Sequence, residues 1–230
     1  MKIAIITLFP GYFAGPLATS LVARAIESGL LEVELVDLRQ FGKGPHRQVD
    51  DSPFGGGPGM VLMIEPLAKA LETRSGSWRV LLTPAGAVLN QKTLDRLAGC
   101  ESLTIVCGRY EGVDERVAQH LVDEEISMGD FVLAGGEVGA AALVEGIARL
   151  LPGVVNNPGS VTSESFRDGL LEEPHYTRPA DFRGWAVPEV LTSGDHERIA
   201  EWRKDQRQER TRRRRPDLDG SGSSASSGES

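Results

Sequence analysis

Short apolar runs alternate with amphipathic stretches over the first two thirds of the chain. Residues 2–8 form a β-branched apolar run, which predicts a buried strand. Apolar positions then recur every four residues over 17–28, and Gly29 provides a stop, so a helix is predicted there. Residues 31–35 alternate between apolar and charged, which is typical of a strand with one wetter face. The order strand, helix, strand predicts an α/β fold with a parallel sheet.

The same alternation continues along the chain. A proline in the first turn favours a helix over residues 65–71, and residues 78–83 predict a strand that ends at residues 84–86. Asn90 is expected to cap the following helix. Residues 137–151, rich in glycine and alanine, predict a helix with a smooth face that another helix can approach closely.

Two glycine-bearing turns interrupt this pattern. The run 103–107 predicts a buried strand that stops at Gly108, and the apolar run 131–133 stops at residues 134–136. Backbone that approaches a ligand closely needs glycine, because a Cβ would fill the space and restrict φ. Either turn alone is typical of an ordinary strand-to-helix connection. Two such turns joined by about twenty residues favour a ligand pocket.

Residues 39–59 form a polar connection, longer than compact domains normally hold without a use for it. It carries His46 and Asp50 ahead of a glycine run. A binding loop is predicted, with a flexible surface excursion as the alternative.

Charge is unevenly distributed along the chain. The formal net charge of −8 argues against nucleic-acid binding over the whole protein surface, since neutralisation of phosphates supplies most of the non-specific affinity for nucleic acid. Residues 196–215, however, hold nine Lys or Arg against four Asp or Glu, a net +5, whereas residues 1–195 sum to −10. This contrast predicts a localised RNA contact near the C-terminus, with a solvated basic helix as the alternative.

Neither a long apolar segment nor a secretory leader is evident, so a cytoplasmic protein without a membrane span is expected. Cys100 and Cys107 lack metal-ligand spacing and are predicted to be reduced thiols.

Four motifs carry a family resemblance. They are GRYEGVDER at 108–116, SMGDFVLAGGE at 127–137, FGGGPGM at 54–60 and PHYTRP at 174–179. Together they resemble the bacterial tRNA (guanine-N1)-methyltransferases, the TrmD family of the SPOUT class. The resemblance implies methyl transfer from S-adenosylmethionine to N1 of the guanine immediately 3′ of the tRNA anticodon, in a magnesium-dependent reaction. It also implies a homodimer that builds each active site from both chains.

The resemblance implies a fold as well: an α/β, parallel-sheet SPOUT domain with a C-terminal trefoil knot, followed by a small, mainly helical domain. We accordingly predict a cofactor domain at 1–153 and a linker at 154–163. A tRNA-binding domain follows at 164–218, and the Ser/Gly-rich tail at 219–230 is expected to be disordered.

The resemblance assigns site residues by position. The expected cofactor-binding residues are Leu82, Thr83, Pro84, Gly108, Tyr110, Glu111, Gly112, Met128, Gly129, Asp130, Phe131, Val132, Leu133, Gly135 and Gly136. The expected tRNA-binding residues are His46, Asp50, Asp168, His175 and Arg178. No residue is assigned as a metal ligand.

The catalytic pair implied by the family is Arg149 and Glu164. The family has aspartate at the second position, so this chain keeps the acid but adds a methylene. Asp168 is the nearest alternative base. Without the resemblance, a helix C-terminal cation and an acid in a cap region would explain the pair equally well. The family also has proline where this chain has Gly139.

Other classes of protein explain less of the sequence. Dehydrogenases and NTPases would need GxGxxG or GxxxxGK[ST] at a strand-helix junction, and neither occurs there. A non-catalytic RNA-binding module would explain the basic segment but not the glycine turns. Another SPOUT RNA methyltransferase remains an alternative.

Overall fold

The computed structural model describes residues 1–155 and 164–218, and the chain divides into two compact units at Asn156/Asn157. The elements of the first unit are β1 (Lys2–Thr7), α1 (Ala14–Leu17), α2 (Ser20–Glu27), β2 (Glu32–Asp37), β3 (Asp50–Asp51), β4 (Val61–Leu62), α3 (Ile64–Glu72), β5 (Trp78–Val88), α4 (Gln91–Ala98), β6 (Ser102–Cys107), α5 (Glu115–His120), β7 (Glu124–Ser127) and α6 (Glu137–Ala148).

A five-stranded parallel sheet in the order β2-β1-β6-β5-β7 forms the centre of the first unit. Successive residues of β1 point to opposite faces, so Ile3 and Ile5 pack in one apolar cluster, and Ala4 and Ile6 in another. Helices α2, α4 and α6 contribute to the first cluster, and α3 and α5 to the second. Burial on both faces explains why these strands appear as continuous apolar runs. The predicted α/β class with a parallel sheet is confirmed.

Some predicted boundaries were wrong. The helix predicted over 17–28 is divided into α1 and α2, and the hydroxyl of Thr19 donates to the carbonyl oxygen of Gly15 at 2.7 Å where the break occurs. Such side-chain hydrogen bonds compete with helix continuation. The helix predicted over 137–151 ends at Ala148.

Strand β5 does not stop at residues 84–86 as predicted. It continues to Val88, and its pairing with β7 shifts register between Leu82 and Ala87. Pro84 lies in the irregular stretch, where its missing N–H costs no ladder hydrogen bond. A partner strand about forty residues away therefore overrides the local turn signal.

The small residues of α6 serve the fold of this chain. A Cβ on Gly139 would lie 3.1 Å from Cγ of Met128, and a Cβ on Gly146 would lie 2.9 Å from Cδ1 of Leu94. Val154, which the sequence places in the linker, is 0% exposed and packs in the first cluster. The rest of the predicted linker, 156–163, and the tail from 219 lie outside the described residues.

The second unit is described from residue 164 to residue 218. A hairpin joins β8 (Asp181–Phe182) to β9 (Trp185–Ala186), and a short helix α7 (Glu189–Thr192) precedes the long helix α8 (His196–Arg214). The carboxylate of Asp195 caps α8 by accepting a hydrogen bond from the backbone N–H of Arg198 at 3.1 Å.

Candidate functional site

A cleft of about 210 Å³ opens at the carboxyl ends of β6 and β7, beside the middle of β5 where its pairing with β7 shifts register. This edge is where parallel α/β sheets usually bind ligands, because the loops that leave the strands surround a crevice there. The lining comprises strand ends, both glycine turns and the first turns of α6: Leu81, Leu82, Thr83, Pro84, Gly108, Arg109, Tyr110, Glu111, Gly112, Val113, Ile126, Ser127, Met128, Phe131, Val132, Leu133, Ala134, Gly135, Gly136 and Gly139.

The first turn, residues 108–112, follows β6 directly. Tyr110 has φ 62° and Gly112 has φ 132°, so the chain reverses sharply and only Gly112 does so without steric cost. The turn is tied to the strand β4 region, since the N–H of Glu111 donates to the carbonyl of Met60 at 3.0 Å and the N–H of Leu62 donates to the carbonyl of Gly112 at 3.0 Å. The glycine-rich loop before Met60 is thereby joined to the wall of the cleft.

The second turn, residues 134–136, lies directly against the first. The N–H of Gly136 donates to the carbonyl of Gly108 at 3.0 Å, and Arg109 forms an antiparallel bridge with Gly135. A Cβ on Gly136 would lie only 2.8 Å from Cα of Cys107, and one on Gly135 would overlap the side chain of Arg109. Glycine is needed at both positions because the two turns leave no room for a side chain.

Exposed apolar side chains surround the cleft. Phe131, Val132 and Leu133 lie in a loop, with Val132 83% exposed, so this apolar run is not buried in the sheet. Tyr110 is also exposed, on the first turn. Apolar groups that line a cleft without filling it are available to pack against a ligand.

An ion pair between half-buried Arg109 and buried Glu137 lies behind the two turns. Nε and Nη2 of Arg109 lie 3.0 and 2.9 Å from Oε2 of Glu137, and Nη1 of Arg109 donates to the carbonyl of Ala134 at 3.1 Å. Oε1 of Glu137 accepts a hydrogen bond from the hydroxyl of Thr7 at 2.8 Å. The sequence reasoning missed these residues, although a cation directly after a buried strand and an acid in the first turn of α6 were available signals.

Cys107 lies beside this ion pair. Burial raises the pKa of its thiol well above the usual range, the Glu137 carboxylate raises it further, and Arg109 opposes the rise. The thiol is therefore protonated at neutral pH and serves as a small apolar group in the core. Cys100 is also a free thiol.

Thirteen of the fifteen expected cofactor residues line the cleft. The two exceptions are Gly129 and Asp130. Gly129 belongs to a turn with φ 140°, in which its N–H donates to the hydroxyl of Ser127 at 3.2 Å. The sequence assignment omitted the lining residues Leu81, Arg109, Val113, Ile126, Ser127, Ala134 and Gly139.

The expected catalytic residues lie in different units. Arg149 is the half-buried C-cap residue of α6, and its N–H donates to the carbonyl of Glu145 at 3.2 Å. Glu164 is half-buried, and its carbonyl accepts a hydrogen bond from the N–H of Arg167 at 3.3 Å. Asp168 is 74% exposed in its side chain and forms an ion pair with Arg207 at 3.7 Å.

The expected tRNA-binding residues are mostly at the surface. His46 is exposed in the long polar connection, and Asp50 is half-buried in β3. In the second unit His175 is exposed and lies 3.6 Å from the carboxylate of Glu172, and Arg178 is exposed.

The described ranges contain no group of three or more His, Cys, Asp or Glu residues able to hold a metal ion. Within the same residues, no helix is long and apolar enough to cross a membrane.

A parallel sheet with a glycine-walled cleft at its carboxyl edge is typical of α/β proteins that bind a ligand there. The family profile described as tRNA (Guanine-1)-methyltransferase TrmD matches residues 1–221. The chain belongs to this family, and the resemblance noted in the sequence is confirmed.

Several curated relatives carry the name tRNA (guanine-N(1)-)-methyltransferase. The protein of Gloeobacter violaceus is 55% identical over 222 residues, which cover 95% of this chain and 98% of the relative. Those of a Ruegeria species and of Geobacter sulfurreducens are each 50% identical over 222 residues, with 94% and 95% of this chain and 91% of each relative covered.

Proposed function

We propose that this chain transfers a methyl group from S-adenosylmethionine to N1 of the guanine immediately 3′ of the tRNA anticodon. The observation that carries the proposal is the family match over residues 1–221, which includes both turns of the cleft. The names of the relatives point to the same activity.

The cleft fits S-adenosylmethionine chemically. Its glycine turns offer backbone amides and carbonyls that can read an adenine edge. Side chains at Gly135 or Gly136 would collide with Arg109 or Cys107 and so displace that backbone. Tyr110 and Leu133 are exposed at the cleft and can pack against the faces of the adenine. Bound there, the cofactor supplies an electrophilic methyl group on a sulfonium.

Guanine N1 is a poor nucleophile while it carries its proton. A carboxylate must remove that proton, and a cation must stabilise the negative charge that spreads onto O6. We assign the first role to Glu164 and the second to Arg149. Asp168 is the weaker candidate for the base, because its ion pair with Arg207 gives it a structural role within the second unit.

We assign tRNA binding to the region 164–218, as a small, mainly helical domain that follows a linker. Its helix α8 carries most of the local excess of Arg, and phosphate contacts favour such a surface. His46, Asp50, Asp168, His175 and Arg178 are the proposed contacts that orient the anticodon stem-loop.

We further propose that residues near the cleft form the trefoil knot of the SPOUT class. A very close approach of the β5 and β7 backbones at their register shift supports this proposal, since a Cβ on Gly86 would lie 2.6 Å from the carbonyl oxygen of Glu125. Threading of this kind is rare among folds, and a local sequence pattern does not encode it.

A homodimer is proposed on two grounds. The family builds each active site from two chains, and α6 keeps exposed apolar surface at Val138 and Ala142 after its glycines have packed inward. Sedimentation should give twice the chain mass, and a fully active monomer at assay concentration would refute this part.

We also propose a cytoplasmic enzyme whose activity depends on Mg²⁺, as the family resemblance implies.

The test is transfer of a tritiated methyl group to tRNA transcripts that carry or lack guanine 3′ of the anticodon. The expected result is label only in the first transcript. Retention of tRNA without S-adenosylmethionine binding would instead indicate a non-catalytic RNA-binding module. Label in both transcripts would indicate another SPOUT RNA methyltransferase.

A further inference from the structure

We propose that the Arg109–Glu137 ion pair, held by Thr7, sets the spacing between the two glycine turns of the cleft, so that Arg109 and Glu137 are positioning residues for S-adenosylmethionine. The inference rests on the proposed function for the identity of the ligand. It adds a role that the sequence reasoning assigned to neither residue.

Glu137 is held from both sides. Glu137 is only 1% exposed, and each of its carboxylate oxygens has its own partner. Oε1 accepts a hydrogen bond from the hydroxyl of Thr7, and Oε2 accepts one from Arg109. The hydroxyl of Thr7 in turn accepts a hydrogen bond from the N–H of Phe9 at 2.9 Å. The carboxylate therefore joins the end of β1 to the start of α6.

Arg109 joins the same carboxylate to both turns. The residue belongs to the first turn, and its Nη1 donates to the carbonyl of Ala134 in the second. Its guanidinium carbon also lies 4.5 Å from the ring centroid of Phe9, within range for a cation–π contact. The planar fork of arginine permits these contacts together, whereas an ammonium group on a lysine does not.

The position of Arg109 explains why the second turn requires glycine. A Cβ on Gly135 would overlap the Arg109 side chain, so the guanidinium occupies the space between the turns. Removing it would leave the carbonyl of Ala134 without its donor and free the turn to move toward the gap. Because the wall of the cleft is this same backbone, its shape depends on the ion pair.

Stability alone is a poor explanation for such a pair. Buried ion pairs are often no more stabilising than apolar residues of similar volume, whereas breaking one partner is costly. A double substitution to apolar residues therefore separates the two roles. It removes both charges while keeping volume, so folding should survive at the modest cost of leaving the Thr7 hydroxyl without its acceptor, but the Ala134 contact is lost.

The experiment compares Arg109→Met/Glu137→Met with the wild-type chain and with a control, Glu65→Gln/Lys69→Gln. The control removes an exposed ion pair on α3 whose residues do not line the cleft. Thermal unfolding, calorimetric binding of S-adenosylmethionine, and steady-state kinetics with tRNA are measured for each.

The expected result is a Tm within about 4 °C of wild type for the double variant, with a Kd for S-adenosylmethionine raised about tenfold or more, because the displaced turn no longer fits the cofactor. KM for the cofactor should rise while KM for tRNA stays unchanged. The control should match wild type in every measurement.

A folded double variant with wild-type cofactor affinity would overturn the inference. If the double variant fails to fold, the single variant Arg109→Lys tests the inference instead. It keeps the positive charge but cannot reach both Glu137 and the Ala134 carbonyl. An unchanged Kd in that variant would overturn the inference, and a raised Kd at near-wild-type Tm would support it. A wild-type chain that binds no S-adenosylmethionine would refute the proposed function itself.

Discussion

The two described regions of the chain are built on different principles. Residues 1–155 enclose two apolar clusters and fix the cleft with backbone hydrogen bonds and the Arg109–Glu137 ion pair. In residues 164–218 only Thr211 is buried, and caps, ion pairs and one long polar helix maintain the structure. The first region can therefore present its site in the free protein. The second has little buried core within its described residues, which fits the proposal that binding of tRNA completes its working geometry.

This contrast predicts that variants of the two regions separate by which substrate they affect. Changes at the cleft walls of the first region should alter cofactor binding, and changes in the second region should alter tRNA-dependent steps while cofactor binding stays intact.

The largest expected effect lies in the second region, at the proposed base. Glu164→Gln keeps the shape of the side chain but cannot accept the proton as a carboxylate, so single-turnover methyl transfer should fall by roughly 10² to 10⁴. The Kd for S-adenosylmethionine should barely change. Glu164→Asp, which restores the acid of the family, should stay active.

Asp168→Asn is the matched control for that variant. It should weaken stability or tRNA affinity more than chemistry, because Asp168 pairs with Arg207. Wild-type transfer by Glu164→Gln, together with no transfer by Asp168→Asn at normal cofactor affinity, would mean that the base is Asp168.

A smaller effect is expected from a substitution in the first region, at the second glycine turn of the cleft. Gly136→Ala places a methyl group 2.8 Å from Cα of Cys107, so the turn must move or strain. We expect a loss of about 1–3 kcal/mol in the free energy of unfolding, as overpacking usually costs, and weaker binding of S-adenosylmethionine by calorimetry. Gly11→Ala is the control, since a Cβ there meets nothing within 4 Å. Equal cofactor affinity in both variants would contradict the crowding argument.

The basic helix α8 offers a test that involves salt. Arg212, Arg213 and Arg214 are exposed in its last turn, and their joint replacement by Gln should raise the Kd for tRNA about tenfold at moderate salt. The slope of log K against log salt should become shallower by up to about 2–3, since each of the three lost phosphate contacts contributes roughly 0.7–0.9. Lys2→Gln, which removes an exposed cation from the first region, should change neither quantity. An unaltered salt slope in the triple variant would remove α8 from the RNA surface.

The smallest expected effect concerns Asp114, which caps α5 beside the first turn. Hydrogen bonds from the Arg116 side chain lower the pKa of Asp114, with burial acting in the opposite direction. A carboxyl with a lowered pKa contributes stability that is present above its ordinary pKa of about 3.9 and is lost as the pH falls through the folded value. Asp114→Ala should cost about 1 kcal/mol at pH 7 and progressively less in acid, as chemical unfolding between pH 2 and 7 would measure. A pH-independent difference would show that the charge of Asp114 contributes nothing.

Local sequence patterns correctly predicted the structural features that neighbouring residues determine. The side chain of Asn90 caps α4 by accepting from the N–H of Thr93 at 3.0 Å, as expected. Gly29 has φ 72° just beyond α2, in line with its predicted role as a stop. The parallel sheet followed from apolar runs that are buried on both faces, such as Ile3 to Ile6.

Features that depend on residues far apart in the sequence could not be predicted from local patterns. The continuation of β5 depends on β7, and the exposure of Val132 depends on the cleft beside it. The Arg109–Glu137 pair joins residues 28 positions apart, and a charge alone does not name its partner. The family resemblance named thirteen of the residues that line the cleft, because it carries information about such distant contacts that periodicity lacks.

The most direct test of the account is the position of the transferred methyl group. Full-length tRNA with guanine 3′ of the anticodon is methylated by the wild-type chain, digested to nucleosides and analysed by mass spectrometry against standards. The account predicts 1-methylguanosine from that one position, and none from a transcript with adenine there. A product methylated at N2, at N7 or on the ribose would contradict it.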